Sequence, residues 1–195
     1  MKKVFLTLSA IMIFFGVSVA QTETMGNNSG DNNTANHQVT IKFTPMAILD
    51  IEGDTKGGIL FEPVAPKEAG DPFNFSATDN TLWLNFTSMV DANKTRSINV
   101  KYEGKLPAGV SLKVATTGGA TGNGKGNRGS SAYSSTPYTL TTTDHALITG
   151  IKTAFTGNGT GNGYQLTYSL EMDDAKYVDL VSDTYPVQVT YTITE

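Results

Sequence analysis

Val187-Gln188-Val189-Thr190-Tyr191-Thr192-Ile193-Thr194 alternates apolar and polar residues without a break. Neighbouring side chains on an extended strand point to opposite faces, so this stretch has one oily face and one hydroxyl- and amide-bearing face. The same period of two recurs at Leu82, Leu84 and Phe86, at Ile98, Val100 and Tyr102, at Val110, Leu112 and Val114, and at Tyr164, Leu166, Tyr168 and Leu170. Val39, Ile41 and Phe43 alternate with Thr40 and Lys42 in the same way. Weaker patterns predict strands over 46–51, 58–62, 138–142, 147–155 and 175–180. Nothing after residue 20 carries the 3.6-residue period of a long amphipathic helix. Each apolar face has to be buried, and sheet packed on sheet is the simplest arrangement. The chain therefore reads as all-β, an antiparallel β-sandwich. A closed barrel also fits the alternation, but the uneven strand spacing favours the sandwich.

The start of the chain has a different grammar. Lys2 and Lys3 precede an apolar run from Val4 to Val17, and Ser18-Val19-Ala20 supplies small residues at the positions a signal peptidase reads. This is the order of a cleaved secretory signal, and the run is short for a membrane span. Residues 1–20 are thus expected to be a signal peptide on an exported protein bound for periplasm, cell surface or medium. Residues 21–38 are polar and Asn-rich, too poor in apolar area to offset the entropy of ordering, and read as a disordered leader. Residues 39–195 then form a single domain.

Composition narrows the partners. The whole chain has 14 Lys and Arg against 18 Asp and Glu, a net charge of −4; removing Lys2 and Lys3 makes it −6. No basic run remains, which argues against nucleic acid or an anionic membrane as partner. There are no cysteines, so disulfides, thiolate metal sites and a lipid-modified cysteine are all out of reach, and the core must suffice alone.

Two glycine-rich stretches interrupt the strands, residues 117–131 and 156–163, and Thr-Gly-Asn-Gly starts at Thr121, Thr156 and Thr160. The first reads, with Ser134–Pro137, as a long Gly-rich surface loop. The second reads as a hairpin turn, since Asn-Gly readily takes positive φ. Gly119–Lys125 approximates a P-loop start, but Gly126 stands where Ser or Thr would hold magnesium, and no helix pattern follows. Asp50, Glu52 and Asp54 share a face if their strand continues, which is a conceivable calcium site; a solvated strand end is the preferred reading. A second acidic group, Glu171, Asp173 and Asp174, reads the same way. His37 and His145 lack metal-ligand spacing, and no nucleophile elbow is present. The chain is read as non-enzymatic, with no cofactor. Trp83 stands opposite Leu82, Leu84 and Phe86, where it would stack on a ligand or lie beneath a loop.

The ending Tyr185-Pro-Val-Gln-Val-Thr-Tyr-Thr-Ile-Thr-Glu195 resembles the last strand of secreted bacterial fimbrial and spore-coat-type subunits. That resemblance implies an immunoglobulin-like sandwich that assembles by lending a strand to a neighbour. The cysteine pair of many such subunits is absent, and only Val39–Phe43 has the alternation a lent strand needs. The expected function is a structural or adhesive subunit of the cell surface acting through protein contacts or self-association, with Val39, Ile41 and Phe43 as partner-binding candidates. The alternative is a module binding a glycan or small ligand through Trp83, Tyr133 and Tyr138.

Overall fold

In a computed structural model of the chain, residues 36–53 and 58–195 are described. The signal-like segment 1–20, leader residues 21–35 and Asp54 lie outside them. Contacts divide the chain into two units, Met1–Ile41 and Lys42–Glu195. Residues 36–41 of the first form no strand. The second carries all the elements that follow.

Ten strands make up almost all of the regular structure. They are β1 (Met46–Glu52), β2 (Thr78–Asp79), β3 (Trp83–Met89), β4 (Arg96–Gly104), β5 (Val110–Thr116), β6 (Lys125–Ser130), β7 (Tyr138–Thr139), β8 (His145–Phe155), β9 (Tyr164–Met172) and β10 (Val187–Thr194). Every pairing between them is antiparallel, and together they form one connected ladder in the order β10-β4-β8-β3-β9-β5-β7. Off that path, β1 pairs β3, β2 pairs β9 and β6 pairs β8. Among the described residues no helix is long and apolar enough to cross a membrane.

The alternation predicted for β4, β5 and β9 is the alternation observed; in β3 the apolar face is buried as predicted, but Asn85 on the opposite face is buried too. Leu84, Phe86, Ile98, Val100, Leu112, Val114, Tyr164, Leu166 and Tyr168 are buried in one hydrophobic cluster, together with Leu147, Ile148 and Ile151 of β8. At roughly 1.5–3 kcal/mol for each buried large apolar side chain, this cluster is the main source of stability.

Four expectations need correction. Residues 39–43 are not a strand; β1 takes the edge of β3 along its whole length, from Met46↔Met89 to Glu52↔Trp83, and alternation by itself does not secure a backbone partner. Residues 58–62 are not a strand either, although Ile59 and Phe61 pack on the core and Leu60 is exposed. There the alternation belongs to an extended strap. Residues 175–180 fall largely in a 3-10 helix, Asp174–Asp179. The Asp173 carboxylate accepts from the Ala175 amide at 3.0 Å, and such a cap competes directly with strand pairing.

The fourth correction concerns the glycine-rich stretches. Residues 117–137 are not one long loop, because β6 lies inside them and pairs with β8. The strand has no apolar alternation to announce it. It forms because glycine lets its backbone press against β8: Gly126 has φ of 83°, and a Cβ there would collide with the carbonyl of Thr153. Residues 156–163 do not close a hairpin. β8 and β9 do not pair with each other; they lie end to end along the same edge of β3, at Thr87↔Phe155 and Leu84↔Tyr164. Three steps along β3 face nine along its partner, so six residues are looped out.

β10, at one end of the ladder, meets β9 through tyrosines. Tyr168 on β9 and Tyr191 on β10 share a hydrogen bond between their hydroxyls at 2.6 Å. Burial pushes the Tyr168 phenol up to about 12, with Asp79 raising it further and the Tyr191 hydrogen bond easing it. Burial likewise holds the Tyr191 phenol well above its ordinary value, with Tyr168 adding to the effect. Burial also lifts the Tyr164 phenol to about 12; its hydroxyl donates to the Arg128 carbonyl at 3.2 Å. An unfolded chain gives up these protons near pH 10 and the folded chain holds them further, so stability falls as pH rises from about 10 to about 12. Alkaline titration followed by circular dichroism is expected to show unfolding in that window. In Tyr168→Phe the loss should be shallower, although that variant is about 1 kcal/mol less stable near neutrality.

Candidate functional site

An unpaired strand edge is the most exposed binding element that a β-protein can offer, because its amides and carbonyls are already aligned for a partner. β10 pairs β4 over its full length, from Val187↔Gly104 to Thr194↔Ser97. Among the described residues it pairs no other strand. Its eight residues, VQVTYTIT, include no charge and no proline. Natural edges are commonly blunted by lysine, proline or a bulge, and this one carries none of those within the strand. Gln188, Thr192 and Thr194 are exposed along it. β1 is also paired on one side only, to β3. It differs in carrying Asp50 and Glu52, charges that discourage strand addition.

The three apolar partner candidates at the start of the described chain stand ready for a contact. Val39 is 70% exposed, Ile41 77% and Phe43 75%.

Tyr133 and Tyr138 come together, and His145 joins them. The Tyr138 ring stacks on His145 with centroids 3.9 Å apart and planes 10° apart. Tyr133 meets His145 edge-on at 5.5 Å, and its hydroxyl bonds to Nε2 at 2.5 Å. Nothing in the sequence signals this trio, since its members come from β7, from the start of β8 and from the segment before them. Its faces are largely spent on one another. The arrangement fastens residues 131–138 to β8. Trp83 is half-buried opposite Glu52 and Gln165 and makes no aromatic contact with the trio.

Asp50 and Glu52 sit two residues apart on β1, while Asp54 lies outside the described residues. Asp50 accepts from the Ile51 amide at 2.8 Å. In the other acidic group, Glu171 pairs with Lys113 at 2.6 Å and Asp173 caps the 3-10 helix.

The Thr-Gly-Asn-Gly repeats, distant in sequence, are brought side by side. Thr121 and Gly163 exchange two backbone hydrogen bonds, at 2.8 and 3.2 Å. Asn162 is the hub: its Oδ1 accepts from the Asn123 amide at 3.1 Å and its Nδ2 donates to the Asn158 carbonyl at 2.8 Å. The buried Asn85 of β3 donates through Nδ2 to the Asn162 carbonyl at 3.1 Å. The cluster anchors the loop that leaves and rejoins β3. Asn162→Ala is therefore expected to destabilise the chain by about 1–3 kcal/mol, whereas Asn158→Ala, on an exposed side chain, should stay within about 0.5 kcal/mol. Urea midpoints of the two variants check this. Comparison with known proteins finds no matching family model, no matching curated protein and no matching solved structure, so the geometry of the β10 edge has to stand for itself.

Proposed function

We propose that this chain is an exported structural or adhesive subunit of the cell surface that works by adding strands between molecules and performs no chemistry. The observation that carries this reading is the free, uncharged edge of β10. The matching element is the alternating segment Val39-Thr-Ile-Lys-Phe43 of a second copy, which forms no strand in its own chain. Strand addition would satisfy main-chain donors and acceptors along β10. Each apolar side chain so covered would contribute about 1.5–3 kcal/mol before the cost of ordering. The resemblance of the last strand to fimbrial and spore-coat-type subunits points the same way, and the signal-like first twenty residues fit a protein that acts outside the cell.

The finer architecture belongs to the same proposal. β10 and β9 share no pairing: β9 continues past β8 along the same edge of β3, while β10 is reached through β8 and β4. Their tyrosine hydroxyls nevertheless meet at 2.6 Å. A ladder folded back on itself, as a two-layer immunoglobulin-like sandwich with layers about 10 Å apart, accounts for that contact and for a single core drawn from both halves.

The processed chain is expected to self-associate with rising concentration in sedimentation velocity, and to capture a synthetic peptide spanning residues 38–51. Gln188→Lys combined with Thr192→Lys places two cations on the β10 edge and should abolish both effects while leaving the circular dichroism spectrum unchanged. A processed wild-type chain that stays monomeric and ignores the peptide would defeat the proposal.

A further inference from the structure

Three Asn-Gly steps occur in one local context, Thr-Gly-Asn-Gly, at Asn123, Asn158 and Asn162. Asn-Gly is the dipeptide most open to intramolecular attack on the side-chain amide, because glycine has no side chain to shield its own nitrogen. The reaction needs that nitrogen to be free and the asparagine side chain to be free to turn towards it. The fold treats Asn158 and Asn162 very differently.

Asn158 is exposed, its side chain makes no hydrogen bond, and the Gly159 amide has no partner among the described residues. A Cβ at Gly159 would meet nothing within 4 Å, so the surrounding space is open. Asn162 lies four residues further along the same loop. Its Oδ1 and Nδ2 are both engaged, and the Gly163 amide that would attack it donates to the Thr121 carbonyl at 3.2 Å.

We propose that Asn158 is a site of spontaneous deamidation and that the fold holds Asn162, four residues further on, as the amide. The Gly159 nitrogen attacks Cγ of Asn158 and loses its proton. A C–N bond forms, the Cγ–Nδ2 bond breaks, and ammonia leaves with the proton. Water then opens the resulting succinimide at either carbonyl, giving aspartate or isoaspartate and one added negative charge. No oxidant, metal or enzyme is required. The inference is independent of the proposed function.

The test is incubation of the full chain in mildly alkaline buffer, with and without denaturing urea, followed by peptide mass spectrometry at Asn158 and Asn162. In the folded chain Asn158 should convert at least about tenfold faster than Asn162, since that site reacts only through local opening. In urea the two rates should converge to within about threefold, the folded-state protection having been removed. Gly159→Ala, measured in urea where no fold is at stake, should slow conversion at Asn158 alone. Conversion of Asn162 in the folded chain as fast as Asn158, or an unreacted folded Asn158 over a period in which the urea-unfolded site converts, would overturn the assignment.

Discussion

The backbone of β3 is the constraint on which the remaining structure rests. One edge is taken by β1 along seven residues. The other must serve two strands in series, β8 at Thr87 and Ser88 and β9 at Trp83 and Leu84. The residues between have their own obligations. The Phe86 amide donates to Thr156 Oγ1 at 2.9 Å, and its carbonyl accepts from the Thr156 amide at 2.9 Å. Thr156 is fully buried, so its hydroxyl does what a continuing strand would have done. The Leu82 carbonyl is met by the Leu166 amide at 2.9 Å. No part of the β3 backbone in this region depends on solvent alone, although its neighbouring strand has been interrupted.

That interruption explains why glycine and asparagine gather where they do. Gly163 must approach so closely that a Cβ would strike the Leu84 carbonyl, and it does so at φ of 79°. The excess chain then folds over Asn85, the one buried polar residue on that face of β3 for which the loop supplies a carbonyl partner. β6, on the opposite edge of β8, uses the same device of a glycine-rich backbone at close range. What looks like low complexity is a set of close approaches that side chains would forbid.

The strands that could be read from sequence were those whose alternation coincided with a ladder. β4, β5, β9 and β10 keep their apolar residues on the more buried face, and β3 does the same with Leu84 and Phe86 although the loop also covers Asn85 behind them, so period two identified these strands and their core residues. Val39–Phe43 and residues 58–62 show that alternation reports on which side chains want burial, not on whether a neighbouring backbone has an edge to offer. β6 was illegible for the converse reason: its sequence, KGNRGS, has nothing to bury, and it exists only because β8 does. Of the site candidates, Tyr133 and Tyr138 could be named from sequence, but their meeting with His145 depends on how three separate segments converge. The bareness of β10 could be read as composition; its position at the end of the ladder could not.

The looped-out length is even. Phe155 faces outward and Tyr164 inward, as two residues three positions apart on an unbroken strand would, because six extra residues restore the pleat to the phase in which it was left. An excursion of odd length would have turned every tyrosine and leucine of β9 inside out. The protein can therefore carry an appendage of variable size at this point, growing or shrinking by pairs of residues, without its interior registering the change.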